Sequence, residues 1–326
     1  LMGRVFCFLV FMLGSACIPC QAEILTEQKR IVEYAPLGAL ITDVGDFDRQ
    51  AKRFDATFWL WTLTQNPEGN PIEALNFPNA VEIKESQITR EKTERGYWIT
   101  RKIRGSFRHP WNMSDFPFDG QTLSIQLVEA GRDYTRLRFI DDGVTSIVDS
   151  NLEIPGWDIE GASLYAAKTT YRSNFGDPRV HRDSEVIYAS ADVSITLKRT
   201  NYAAFWKLTI AAFVAAGLAI PAFFVRLDSQ SRLGLLTASV FADVLSMQSA
   251  SSDLGAVEYV TLVDKIHIAV LIYTFIATVF VLYTHSHDIR HENIRALKWS
   301  GYRVGLTSTL LLVLSIVFLV WSVWSQ

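Results

Sequence analysis

Beyond position 20 this 326-residue sequence has no cysteine; Cys7, Cys17 and Cys20 are the three it contains. Disulfides, thiolate nucleophiles and cysteine-ligated metals are therefore excluded from the rest of the chain. There is no basic run and no basic stripe interleaved with aromatics, so nucleic acid is not expected as a partner. Nucleophile elbows, phosphate-binding glycine loops and metal-spaced histidine or cysteine sets are missing too. His285, His287 and His291 lie close together, but in a basic segment that suits lipid headgroups better than a metal. Neither an enzyme nor a cofactor requirement is expected. Internal repeats and low-complexity tracts are absent.

The middle of the chain also lacks long apolar runs. Hydrophobic residues make up 49% of the sequence, concentrated near the start and in the last third. Positions 23–200 hold 27 acidic and 22 basic residues, a balance of −5, and positions 201–326 hold 7 and 8, a balance of +1. Arg4, the apolar run 5–13 and Cys20-Gln21-Ala22 read as a secretory signal over 1–22. An uncleaved anchor is the alternative, but that run is far shorter than the ~20 residues a spanning helix needs.

Four apolar segments follow, at about 202–225, 233–250, 262–283 and 304–324, each close to a bilayer-spanning length. Helices there satisfy their own backbone groups in lipid. The second carries Thr237, Ser239, Asp243, Ser246, Gln248 and Ser249, so it should face protein or water. The links after the first and third segments are basic, with Arg226, Arg232, Arg290, Arg295, Lys298 and Arg303. The link between the second and third has Asp253 and Glu258 and no base. Bases mark the cytoplasmic side, which predicts both chain ends outside.

Positions 23–200 show alternating runs at 56–63, 97–107, 122–128, 161–168 and 186–197, separated by turn residues. The pattern predicts an all-β sandwich, with a short helical stretch at 25–34 as its one exception.

Three strings carry a resemblance. Asp115-Phe116-Pro117-Phe118-Asp119-Gly120-Gln121 resembles the signature loop of the Cys-loop receptor superfamily, the pentameric ligand-gated ion channels, in the bacterial form without bracketing cysteines. Gly156-Trp157-Asp158-Ile159-Glu160 is similar to a strand start in a proton-gated bacterial member. Arg199 stands just before the first membrane segment, as the family's pre-membrane arginine does, and Arg232-Leu233-Gly234-Leu235 and Val257-Glu258-Tyr259-Val260 match members at both ends of the second membrane helix without a gap. The chain departs from the pattern between Trp61 and Phe77, which is short; early in the first membrane helix, where proline is replaced; and at Gly255, which stands for a proline.

The resemblance implies an immunoglobulin-like sandwich followed by a four-helix membrane domain. It implies four identical partner subunits, a small-molecule, proton or divalent-ion agonist, surrounding lipid, and permeant inorganic ions. In the implied register Gly234, Ala238, Phe241, Leu245, Gln248, Ser249 and Ser252 share one stripe and line the pore. Phe241 and Leu245 form apolar rings able to gate by dewetting. The competing reading is plain helix–helix core. The acidic outer domain leans toward cations.

Asp243 lies about 200° around the helix from Phe241 and should point away from the pore, toward Lys207, with His267 near enough to couple the pair to pH. A pore-lining Asp243 is the rival geometry. At the joint, the resemblance implies that Arg199 pairs with Asp119 and with an acid of the first hairpin turn, Asp48 first and Asp46 second. Pro117 makes a rigid turn that is able to be cis, and Glu258 and Tyr259 belong to the receiving loop. For the agonist, Trp59 or Trp61, Phe77, Arg101, Asp133, Tyr134 and Phe175 fall on the expected loops, without a full aromatic cage for an amine. Asp141-Asp142 is a further place for a cation, or a solvated turn. A bacterial inner-membrane protein is expected; a non-conducting sensor or scaffold of the same architecture is the alternative.

Overall fold

The computed structural model describes residues 32–65, 69–143, 147–176, 181, 184–200, 202–224, 228–254, 259–289 and 294–324. The signal segment, Arg226, Gly255, Glu258 and most of the 25–34 stretch lie outside them; Glu33 and Tyr34 begin a strand instead of ending a helix.

Among the described residues nine strands form two sheets. They are β1 (Glu33–Asp48), β2 (Arg53–Thr64), β3 (Leu75–Asn76), β4 (Ala80–Thr93), β5 (Gly96–Arg108), β6 (Gly120–Asp133), β7 (Leu137–Asp141), β8 (Trp157–Tyr171) and β9 (Val186–Arg199). One sheet runs β4-β5-β2-β1-β7 and the other β3-β6-β9-β8. All neighbours are antiparallel except β1 and β7.

Period-two alternation drives this arrangement. Phe54, Ala56, Phe58 and Leu60 of β2 turn to one side, while Trp59 and Trp61 turn to the other and stay half-buried. Leu123, Ile125 and Leu127 of β6 and Val193, Ile195 and Leu197 of β9 come from the second sheet to the same apolar core. Each large side chain buried here contributes about 1.5–3 kcal/mol against exposure. A one-residue slip in β2 would carry its whole core set to the outside. The edge strand β4 packs Ala80 and Ile83 on the core and is otherwise largely polar and exposed, and its charges discourage pairing with another chain.

The helices are α1 (Tyr202–Ala219), the single turn α2 (Pro221–Phe224), α3 (Ser229–Leu254), α4 (Leu262–Ile289) and α5 (Ile294–Trp324). Four spans are long and apolar enough to cross a membrane, with mean hydropathy 1.9, 1.3, 2.2 and 2.4 in chain order. The chain is a membrane protein. The sequence expectation is corrected in detail: the first span breaks before Pro221, which has no N–H to continue the ladder. Ala222 lies in the short turn α2, and Arg232 from α3 donates to its carbonyl through Nε at 2.7 Å and through Nη2. Arg232 therefore starts a helix and ties it to the first span; it is not a loop base. The link expected at 284–303 is mostly helix, since α4 reaches Ile289 and α5 starts at Ile294.

Helix α3 packs on α1 and α4. Residues from Val32 onward form one unit, and Ala250 of α3 and Val263 of α4 are continuous with the core of the β-sheets.

Candidate functional site

The two faces of α3 differ. Leu236, Ser239, Asp243 and Ala250 recur at helical spacing and are buried. Ser239 Oγ donates to the Ala215 carbonyl of α1 at 2.7 Å and lies 3.3 Å from Thr274 Oγ1 of α4. Gly234, Ala238, Phe241, Leu245, Gln248 and Ser249 all lie on the opposite, exposed face; Phe241 and Leu245 are 64% and 63% exposed. The side chain of Ser252 lies outside the described set. The stripe singled out from sequence is thus the face that α1 and α4 leave uncovered.

Asp243 does turn inward, but its expected partner is corrected. Lys207 is exposed and makes no ion pair with it. Instead His267 Nδ1 of α4 lies 2.6 Å from Asp243 Oδ1, and His267 Nε2 lies 3.2 Å from the Leu208 carbonyl of α1. Both side chains are buried, at 1% and 0% exposure, and Asp243 Oδ2 has no partner among the described residues. Helix phase explains the difference. Phe205, Thr209 and Ala212 form the buried side of α1, and Lys207 falls off it.

At the foot of the sheets the 115–121 loop forms a turn in which the Phe116–Pro117 peptide is cis. Its tip reaches the membrane helices: the Phe118 ring is 5.4 Å from Phe205 and 5.9 Å from Tyr202. Asp119, next to it, is buried and receives Arg199 Nε at 2.7 Å and Nη2 at 3.3 Å. The Arg199 guanidinium also sits 4.1 Å from the Trp157 ring centroid and 5.1 Å from that of Phe116. Trp157, from the second string, is therefore part of this joint.

Asp48 is not. It accepts from the Ala51 N–H at 2.8 Å and pairs with Arg53 at 3.4 Å. Asp46 lies beside it in a left-handed conformation, lining a surface cleft of about 360 Å³ with Arg53, Asp55 and Lys84. The turn residue that approaches the joint is Arg49, over Phe116 at 6.0 Å. Burial, and then the charge of Arg199, lower the Arg49 guanidinium from its ordinary value, while Asp119 pulls it up. Tyr259 is exposed, and Glu258 lies outside the described residues.

Behind Asp119 runs a chain of polar contacts that no local pattern announces, because it joins residues of separate elements. Gln121 Nε2 donates to Asp119 Oδ2 at 2.8 Å, and its Oε1 lies 3.1 Å from His109 Nε2. Since Oε1 only accepts, His109 carries its hydrogen on Nε2. Burial holds the His109 imidazole below its ordinary value, with Gln121 opposing.

The seven ligand candidates separate. Arg101 is engaged within the fold: Nε donates to Ser86 Oγ at 2.8 Å, Nη1 to the carbonyls of Ile72 at 2.8 Å and Leu75 at 3.4 Å, and Phe77 lies beneath it at 5.5 Å. Phe77 packs on Phe58 and Phe107. Trp61 donates to Asp142 Oδ2 at 2.6 Å, and Lys102 sits over Trp59. Asp141 ends β7 and receives the Gly143 N–H at 3.0 Å. Among the described residues no group of three or more His, Cys, Asp or Glu is placed to hold a metal.

The other three each meet β9 at Ile187 or Tyr188, and the Tyr134 ring packs on the apolar core. Phe175 is 63% exposed and packs edge-on against Tyr171 at 5.4 Å and Tyr188 at 6.2 Å. Asp133 is the register partner of Tyr188, and Tyr134, stacked under Arg138 at 4.7 Å, donates its N–H to the Ile187 carbonyl. Tyr171 and Tyr188 escaped the sequence reading. They are diagonal neighbours across the β8–β9 pair, and that register is visible only once the strands are paired.

Glu129 also escaped notice. It is buried beside Arg132, whose N–H donates to Glu129 Oε2 at 2.7 Å and whose Nη1 donates to Glu33 at 2.7 Å. Burial raises the Glu129 carboxyl above its ordinary value, against the hydrogen bonds and charge of Arg132.

Compared with known proteins, the chain matches no family model and no curated protein.

Proposed function

We propose that the chain is one subunit of a homopentameric ligand-gated ion channel of the Cys-loop receptor superfamily, with an immunoglobulin-like sandwich outside the membrane and a pore lined by α3. The reading rests on one observation above others. The least apolar span, with mean hydropathy 1.3, turns Gly234, Ala238, Gln248 and Ser249 away from its own bundle. Lipid is a poor solvent for the Gln248 and Ser249 side chains of that face, which also carries the apolar Phe241 and Leu245, whereas water or copies of the same helix suit them. Five copies around an axis give a polar outer mouth, two apolar rings at Phe241 and Leu245, and a small-residue inner end. Apolar rings of this kind close a pore by dewetting.

The resemblance in the 115–121 loop and the contact of its tip with α1 support a route from ligand to pore. The Tyr171–Phe175–Tyr188 cluster with Asp133 and Tyr134 is the favoured ligand region, for a small molecule, a proton or a divalent ion. The acidic 23–200 region favours cation conduction by concentrating cations near the mouth. Both chain ends lie on the outer side of a bacterial inner membrane in this reading.

Reconstitution into liposomes tests it. Ion flux across pH and calcium series with ion substitution, together with a mass measurement in detergent, should show five copies and a cation flux. Five copies without flux would favour a non-conducting sensor, and a monomer without flux would overturn the proposal.

A further inference from the structure

The joint at the foot of the sheets holds two guanidiniums and one carboxylate. Arg199 directs Nε and Nη2 to Asp119, at 2.7 and 3.3 Å. Arg49, in the turn between β1 and β2, shares the Phe116 ring with Arg199; the two guanidiniums lie 6.0 and 5.1 Å from its centroid. With Asp119 ionised, two positive groups face one negative group. The acids of the same turn face elsewhere. Asp48 holds Arg53 and the Ala51 N–H, and Asp46 lines the cleft with Arg53, Asp55 and Lys84. Among the described residues Asp115 and Asp158 pair with neither arginine, and Arg49 makes no hydrogen bond or ion pair of its own.

Arg49 is also half-buried. Burial and the like charge of Arg199 hold its guanidinium below the ordinary value, with Asp119 opposing. A partly desolvated cation beside a like charge is short of a counter-ion. The place of the joint says which anion is at hand. Arg199 ends β9, a spanning helix begins at Tyr202, and Phe118 rests on Tyr202 and Phe205. Tyr202 and Trp206 are 58% and 60% exposed, as aromatic residues at headgroup level are. Phosphate is the abundant anion of that layer, and the planar guanidinium fork matches its oxygens.

We propose that Arg49, with Arg199 behind it, forms a binding site for a phosphate group at the boundary between the β-region and the membrane helices. The phosphate belongs to the headgroup of a membrane lipid or is free phosphate from the aqueous side; both present the same acceptor oxygens. Bound there, it supplies the second negative group that the joint lacks and ties the β1–β2 turn to the end of β9. The site rests on the joint and does not depend on the channel reading.

Thermal unfolding of the full chain in dodecyl maltoside micelles, which contain no phosphate, tests it. Inorganic phosphate or phosphatidylglycerol is then added, for wild type, Arg49→Gln and Arg53→Gln. Arg53→Gln removes the same charge from the same hairpin away from the joint. The midpoints of wild type and Arg53→Gln should rise by several degrees with at least one addition, and that of Arg49→Gln clearly less. A rise with phosphatidylglycerol alone assigns the site to lipid, and a rise with inorganic phosphate assigns it to the free anion. Equal rises in all three proteins, or none in any, overturn the proposal. If Arg49→Gln does not fold, Arg49→Lys replaces it, because lysine keeps the charge and loses the fork. A smaller rise than wild type then supports the site, and an equal rise overturns it. No readout involves ion flow, so failure here leaves the channel reading standing, and absence of flux leaves this site standing.

Discussion

Arg199 holds Asp119 through two contacts, at 2.7 and 3.3 Å, at the point where the last strand ends and the first membrane helix begins. Both side chains are largely withdrawn from solvent, at 9% and 2% exposure. Removing one partner strands the other, at a cost of about 3–5 kcal/mol for a buried pair. Arg199→Ala and Asp119→Ala should both lower the unfolding midpoint sharply. Arg199→Lys should fall between them and wild type, because an ammonium cannot reproduce the fork. Asp48→Ala, which removes an exposed pair with Arg53 and an exposed acceptor for the Ala51 N–H, should change stability by about 1 kcal/mol or less. Thermal unfolding of the four variants checks the order.

Gly305 faces Phe223 closely enough that an added Cβ would stand 2.6 Å from the Phe223 Cβ. Gly305→Ala should cost about 1–3 kcal/mol through overpacking. Gly217, with open space at its Cβ position, is the control, and Gly217→Ala should not destabilise. Detergent thermal shift measures both.

Two buried groups of the β-region give opposite pH slopes. His109 has a folded value below 6.5, so in the window beneath 6.5 the unfolded chain binds the extra proton. Stability tied to His109 is present above that window and lost as pH falls through it. Glu129 has a folded value above 4.5, so above 4.5 the folded chain binds the extra proton. Its contribution rises as pH falls through that window and is lost as pH rises through the folded value. His109→Asn should flatten the first slope and Glu129→Gln the second, read as midpoint against pH.

Arg101 should behave as a structural residue. Its hydrogen bonds to Ser86, Ile72 and Leu75 hold the 72–75 segment against β5, and hydrogen bonds to a charged group contribute about 1.5–3 kcal/mol each. Arg101→Ala should lower the midpoint, whereas Tyr188→Ala and Phe175→Ala should leave it nearly unchanged and weaken ligand response. Parallel stability and dose–response measurements separate the two kinds of residue.

Alternation made β2, β5, β6, β8 and β9 readable, because each buries one face. It concealed β4, which is largely polar and exposed at the edge of its sheet, and β1, where Pro36, Gly38 and Gly45 interrupt the pattern. On α3 the stripe follows from the register that the resemblance implies, and a single helical period then assigns every residue of that helix a direction. Across helices this fails. Lys207 is next to Leu208, whose carbonyl faces His267, but only the packing of α1 shows that its side chain points outward and that His267 stands opposite Asp243. Asp48 was chosen by charge at a turn. The bulged end of β1, with Asp46 in the left-handed region, decides that Arg49 reaches the joint. Arg101, a ligand candidate in sequence, is instead held by the Ser86 hydroxyl and the Ile72 and Leu75 carbonyls, partners that no sequence pattern announces.

The central claim is that the exposed face of α3 meets ions. With Cys7, Cys17 and Cys20 changed to serine, single cysteines at positions 241, 245 and 243 can be treated with a charged thiol reagent during bilayer recording. The account predicts that Phe241→Cys and Leu245→Cys channels are blocked and that Asp243→Cys channels are not. Block at 243 with none at 241 and 245, or no conductance from the unsubstituted chain, would contradict it.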